Sequence, residues 1–184
     1  MELSPTANRI SITDSQIHVW SAHNRARSRV DHQGRPQAKY HSLEELTAQM
    51  DGAGVDRAVL VPPTWERNNN FALSAAREQP RRFAVMGRLD PTDRDSVAGL
   101  RTWCAEPGML GVRLVYNQRD ADARLRIADE AGFFRAAEEA SVPLMLYAPH
   151  LHSELSSIAA RYPSLRLIID HLGLPRLKLR ALKQ

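Results

Sequence analysis

The sequence predicts an α/β protein of the β/α-barrel type, with about six of the βα units that a full barrel repeats eight times. Three observations lead there. Short apolar segments rich in Val, Ile and Leu recur along the 184 residues. Stretches with helix caps and helical spacing separate them from start to end. After the first, the apolar segments are nearly continuous, as in parallel strands covered on both faces. Such alternation argues for a mostly parallel sheet with crossover helices. A closed (β/α)8 barrel, the TIM-barrel architecture, takes about 250 residues, so an incomplete version is expected. An open doubly wound sheet would be complete at this length and is the structural alternative. Its phosphate-binding signature is missing: no G-x-G-x-x-G follows the first strand, and no G-x-x-x-x-G-K-S/T occurs.

The elements follow in order. "ISITDSQIHVW" is the first strand, and its alternating Asp14, Gln16 and His18 would share one face. Residues 21–41 are the least regular piece and sit where a long active-site loop would lie. Ser42 caps "LEELTAQMDGAG", Glu45 completes a capping box, and Gly52 or Gly54 ends the helix. "RAVLVPP" is the second strand, followed by "NNNFALSAAREQP", with an Asn cap and a Pro stop. "RFAVMGRLDP" is the third, followed by "DRDSVAGLRTWCAEPG", with an Asp cap and a Pro-Gly end. "LGVRLVY" is the fourth, and "DADARLRIADEAGFFRAAEEASVP" holds one helix or two, broken near Gly132. "PLMLYAP" is the fifth strand. "HSELSSIAARYP" is a helix capped by Ser153 or His152, and "LRLIIDH" is the sixth strand.

Composition narrows the class. A hydrophobic fraction of 43% and a charged fraction of 25% are ordinary for a globular protein, and the chain is expected to form a single domain over 1–184. No run approaches the roughly 20 apolar residues of a membrane helix, and "MELSPTANRI" lacks the basic start and apolar core of a signal peptide. The single cysteine, Cys104, has no internal disulfide partner, which points to a reducing cytoplasm. The net charge of +4 comes from the basic tail 176–184, which holds Arg176, Lys178, Arg180 and Lys183 and no acid; the rest of the chain is balanced. No nucleic-acid partner and no membrane partner are expected.

His18 lies near the end of the first strand, just before the irregular loop, where β/α barrels build their active sites. His171 ends "LRLIIDH" beside Asp170, where the chain leaves the sheet. Each has a bland reading: an exposed imidazole, and for Asp170 a helix cap. The functional reading is a metal ligand or an acid–base group. Arg113 in "GVRL" and Arg88 in "GRLD" offer forked donors suited to a substrate carboxylate, or they make ordinary ion pairs. Tyr147 would hydrogen-bond a carbonyl or pack as a core aromatic, and Trp20 and Trp65 would wall the pocket or simply pack. Cys104 falls on an outer helix, far from the strand ends.

Together "DSQIHVW", "VPPTWERNNNFALSAAREQPRRFAVMGRLDP", "GVRL" and "LIIDHLGLP" resemble the amidohydrolase-2 family of the amidohydrolase superfamily. More narrowly, they resemble its lactonase-like metal-dependent hydrolases. The likeness runs in order from about residue 10 to residue 175, and the D-x-x-x-H-x-W and "IDHLG" elements carry most of it. It implies a distorted barrel acting on lactones and related carbonyl compounds, with relatives that decarboxylate aromatic acids. The family's first-strand H-x-H places its second histidine on His18 and its first on Gln16. Its sixth-strand histidine falls on His171, and a fifth-strand histidine falls only loosely on His150. The final-strand aspartate has no counterpart, which implies a chain lacking the last two βα units.

These matches imply a divalent, zinc-like metal held by His18 and His171, weakly or not at all because Gln16 replaces a ligand histidine; an amide oxygen is a poorer donor than imidazole. Gln16 would then donate a hydrogen bond to substrate. The expected activity is hydrolysis of a small carboxylated lactone, impaired by the missing units; a decarboxylase of the same superfamily or a catalytically inactive fragment are the alternatives. Open sheet edges would favour a homo-oligomer.

Overall fold

The computed structural model describes residues 10–20, 42–66, 68–116, 122, 125, 128–129 and 132–175. The irregular loop 21–41, most of the first helix predicted after the fourth strand, and the basic tail 176–184 lie outside them.

Six parallel strands form one sheet in simple sequence order: β1 Thr13–His18, β2 Arg57–Val61, β3 Phe83–Gly87, β4 Met109–Val115, β5 Leu144–Tyr147 and β6 Leu167–Ile169. Helices fill the connections: α1 Leu43–Gly52, α2 Asn70–Glu78, α3 Arg94–Gly99 running into a 3-10 turn Leu100–Ala105, α4 Phe133–Glu139 and α5 His152–Arg161. A doubly wound sheet reverses its strand order partway across. This sheet does not, so every crossover lays its helix on the same face.

Side chains divide accordingly. Ala58, Leu60 and Val85 pack outward against Ala72, Ala75 and Ala76 of α2 and Met50 of α1. Val112, Leu114, Leu144 and Leu146 pack outward against Phe133, Phe134 and Ala137 of α4 and Leu155 and Ile158 of α5. The opposite, inner face carries the smaller cluster Val61, Met86 and Met145. Gly111 lies on that inner face opposite Met86, where a β-carbon would meet the Pro143 carbonyl oxygen at 2.3 Å. Only glycine lets the strands approach so closely there.

The local signals explain most boundaries. Ser42 accepts from the Glu45 backbone N–H while the Glu45 carboxylate accepts from Ser42 N–H, a complete capping box. Asp93 accepts from Ser96 N–H at the start of α3. Gly132, at φ 78°, opens α4 and accounts for the predicted break.

Other expectations are corrected. Neither Ser153 nor His152 caps α5; the cap position is Leu151, without a side-chain bond, and Ser153 donates to Glu154 instead. The Asn69 side chain does not cap α2. It is drawn to a stronger demand, the Arg88 backbone beyond β3, where it accepts from N–H at 2.8 Å and donates to the carbonyl at 3.0 Å. In β1 the three steps from Asp14 to Ile17 span only the two steps from Ala58 to Leu60. This bulge breaks the period of two. Asp14 therefore registers with outward Ala58, whereas His18 registers with inward Val61. The predicted shared face of Asp14, Gln16 and His18 does not form.

A second bulge, at Leu110, leaves that side chain 45% exposed. The other exposed large apolar side chains lie at the two margins of the sheet: Ile10 and Ile12 beside β1, and Ile168, Ile169, Leu172 and Leu174 in or after β6. No helix among the described residues is long and apolar enough to cross a membrane. Exposed apolar side chains at the margins of a sheet favour chain-to-chain pairing. The purified 184-residue chain is expected to self-associate in light scattering, and the double variant Ile169→Lys/Leu172→Lys to reduce this. A monodisperse wild-type monomer at high concentration would count against bare edges.

Candidate active site

The candidate site is built where the strands end on the inner face. Arg113 of β4 registers with inward Met145 and is buried, as is Asp170 just beyond β6. The Arg113 Nε and Nη2 groups both donate to Asp170 Oδ2, at 2.9 and 2.7 Å, reaching across β5. The other carboxylate oxygen, Oδ1, lies 2.5 Å from His171 Nδ1. Asp170 thus bridges a guanidinium and an imidazole. Burial pushes its carboxyl pKa up, but the bonds from Arg113 and His171, with their charges, outweigh that and hold it below the usual aspartate value.

The backbone after β6 turns through three left-handed residues, His171 at φ 52°, Leu172 at 55° and Gly173 at 66°. Side chains other than glycine rarely adopt this conformation. It puts the His171 ring 5.0 Å from the Tyr147 ring of β5, centroid to centroid.

His18 donates from Nδ1 to the Val61 carbonyl at 2.9 Å, because a carbonyl only accepts. That bond leaves Nε2 with its lone pair. Lost hydration lowers the ring's pKa most; the Val61 bond opposes this; Arg113 lowers it, Asp170 raises it and His171 lowers it. The net shift is downward, so His18 is neutral at neutral pH. His18, Arg113 and the Asp170–His171 pair all lie toward the C-terminal ends of parallel strands of the one sheet, β1, β4 and β6.

Gln16 precedes them on β1, with its amide nitrogen buried and without a partner. Trp20 stands edge-on to Trp65, with centroids 6.3 Å apart. Arg88, with its backbone clamped by Asn69, lines a cleft of about 410 Å³ together with Trp65, Glu66, Asp90, Arg113 and Tyr116. His150 is exposed in the turn after β5, at φ 75°. Cys104 lies on the 3-10 turn of the outer layer, where burial pushes its thiol pKa up, away from nucleophilic thiolate.

Two roles were not evident from the chain alone. The first is the bridging of Asp170, for which the cue is a carboxylate ending a buried strand while an inner-face arginine sits two strands away. The second is the Asn69 clamp on Arg88, for which a single asparagine in "NNN" offers no cue.

His18 and His171 present imidazole nitrogens suited to a divalent cation. Zinc sites use about three or four protein ligands, and among the described residues no group of three or more His, Cys, Asp or Glu is placed to hold one. The described donor set therefore falls short of a complete metal centre.

A parallel βα sheet wound in one direction, with polar side chains gathered at the C-terminal ends of its strands, defines a barrel-type α/β protein. A family profile described as Amidohydrolase matches residues 13–183, and the chain belongs to that family. Three solved structures are similar in fold. An amidohydrolase from Burkholderia multivorans with bound zinc is 19% identical, with a TM-score of 0.66, over 90% of this chain and 59% of that one. A probable 2-pyrone-4,6-dicarboxylic acid hydrolase from Acinetobacter baumannii with citric acid bound is 23% identical, TM-score 0.56, over 89% and 59%. The 5-carboxyvanillate decarboxylase from Novosphingobium aromaticivorans, with manganese and 4-hydroxy-3-methoxy-5-nitrobenzoic acid, is 16% identical, TM-score 0.62, over 89% and 65%. The chain thus spans less than two thirds of each, and its six strands correspond to part of a barrel. No curated protein matches the chain.

Removing one partner of a buried ion pair strands the other charge. Asp170→Ala is expected to cost about 3–5 kcal/mol in urea unfolding, and Arg113→Met/Asp170→Leu to recover much of that loss. An Asp170→Ala cost near zero would show that the pair is not desolvated in solution.

The pH dependence has two windows. The fold disfavours protonated His18, so its contribution is full above the unfolded value of 6.5 and is lost as pH falls through the lower folded value. Asp170 acts further down: its contribution is present above 3.8 and is lost below that. In metal-free protein, His18→Gln is expected to flatten the urea-midpoint slope just below pH 6.5; an unchanged slope contradicts the neutral His18.

Proposed function

We propose that the chain carries the active-site half of an amidohydrolase-2-type hydrolase acting on a small carboxylated lactone or related carbonyl compound. The observation that carries this reading is the Arg113–Asp170–His171 chain of contacts at the C-terminal end of the sheet, the end at which His18 closes β1. The likeness to a pyrone dicarboxylate hydrolase favours a small acidic lactone. The decarboxylase likeness favours, as a second reading, loss of carbon dioxide from an aromatic acid in the same mouth.

The roles follow from the contacts. Asp170 fixes the His171 ring by its Nδ1 contact and stabilises positive charge there, so His171 takes the proton of an attacking water through Nε2. Neutral His18 presents Nε2 to the same space. Gln16 and Tyr147 donate to the carbonyl oxygen on which charge develops. Arg88, and the part of Arg113 not engaged by Asp170, hold the substrate carboxylate in the cleft. If a divalent cation is bound, the Nε2 atoms of His18 and His171 would hold it in place of the proton role just given to His171, and the cation would supply Lewis-acid polarisation of a carbonyl. With Gln16 in place of a ligand histidine, that cation is held weakly.

Ring opening of a pyrone carboxylate and carbon dioxide release from a hydroxybenzoate, measured side by side, separate the two readings. His18→Ala and His171→Ala are each expected to reduce the ring-opening rate by about 100-fold or more. Metal analysis is expected to find less than one equivalent in wild type and less again in either variant. Wild-type rates in both variants, or a full equivalent retained without these histidines, would refute the assignment.

A further inference from the structure

Asn69 stands at the N-cap position of α2 without capping it, and both groups of its amide go to the Arg88 backbone. The sheet explains the demand. Ala58 N–H donates to the Arg82 carbonyl, so the β2 groups that face β3 belong to alternate residues, Ala58, Leu60 and then Pro62. Pro62 has no N–H to give, and the last pair of the ladder is Leu60 with Val85. On β3 the same alternation, counted from Arg82, turns the N–H and C=O of Arg88 toward β2. There Asn69 Oδ1 accepts from the N–H at 2.8 Å, and Nδ2 donates to the carbonyl at 3.0 Å. One side chain thus supplies the rung that the proline withholds, one residue past Gly87, where β3 ends.

The residue held in this way belongs to the cleft. Arg88 follows inward-facing Met86 by two positions, which gives both side chains the same face, and it lines the cleft together with Arg113. Arginine has a long side chain with many rotamers, so the direction in which it leaves the backbone decides which space its guanidinium can reach. Fixing both the N–H and the C=O of residue 88 fixes that direction. Arg113 is oriented differently, by its own two bonds to Asp170. Asn69 is not among the residues that line the cleft.

We propose that Asn69 is a positioning residue for anion recognition in this cleft, acting on a bound carboxylate through Arg88 and not by contact with it. The proposal rests on the functional reading above, in which Arg88 holds a carboxylate, and it adds the β2–α2 connection to the binding machinery.

The test is binding to the full chain by titration calorimetry, without turnover, with succinate and its neutral diamide succinamide as probes. The two have the same carbon skeleton and differ in charge. Wild type is expected to bind succinate at least about tenfold more tightly than succinamide. Arg88→Gln and Asn69→Ala are each expected to weaken succinate by about tenfold and leave succinamide unchanged. The double variant Asn69→Ala/Arg88→Gln is expected to bind succinate no more weakly than Arg88→Gln, because the amide acts through the guanidinium. Asn69→Ser restores a cap to α2 but cannot span both Arg88 groups. It is expected to melt at a higher temperature than Asn69→Ala and to bind succinate equally weakly. Additive losses in the double variant, equal losses of succinate and succinamide in Asn69→Ala, or recovery of succinate binding in Asn69→Ser would each assign Asn69 a merely structural role and overturn the proposal. Wild-type succinate affinity in Asn69→Ala, or no preference for succinate in wild type, also overturns it. Asn69-dependent succinate binding without ring opening or decarboxylation would overturn the catalytic reading and leave this positioning role standing.

Discussion

The carboxylate of Asp170 is shared between the Arg113 guanidinium and the His171 imidazole, and this sharing organises the mouth. Neither charged residue would be stable alone on the inner face of the sheet, whose buried apolar cluster is Val61, Met86 and Met145. Paired, they tie β4 to the end of β6 across β5. The third member, His171, is held at a left-handed backbone position that no helix or strand would offer it. Strain at that turn is sustained because the carboxylate anchors the ring.

The same arrangement sets the state of the opposite wall. His18 belongs to β1, five strands from β6 in the hydrogen-bonded order, and both strands end at the same side of one parallel sheet. The sheet is similar in fold to part of a barrel, in which such strand ends share one mouth. Winding in one direction makes this possible: with every helix outside, the inner face is left for chemistry. The mouth then pairs one imidazole held neutral by its surroundings with another held against a carboxylate.

Much of this was legible in the chain. Six apolar segments separated by capped helices were enough for the fold, because a parallel sheet writes its burial as continuous hydrophobic runs. His171 stood out because it ends such a run, and His18 because it lies near the end of the first strand, just before the irregular loop. The capping box at Ser42 and the break at Gly132 were local, and local signals survive folding. What was hidden depends on pairs distant in sequence. That Asp170 serves Arg113, 57 residues earlier, cannot be read from either neighbourhood. Asn69 looked like a cap because caps and backbone clamps use the same amide chemistry. The face of Asp14 was misjudged because a bulge leaves no mark in a pattern of polar residues.

The extra residue in β1 also decides how that strand tolerates a change in length. Asp14 and His18 are an even number of positions apart yet lie on opposite faces. Losing Ser15 would therefore regularise the ladder while every retained side chain kept its side. In evenly paired β2, excising one residue would turn everything before it inside out. Relatives with and without the spare residue can present the same inner wall, so a site in this strand is aligned by its partner on β2 and not by counting back from the histidine.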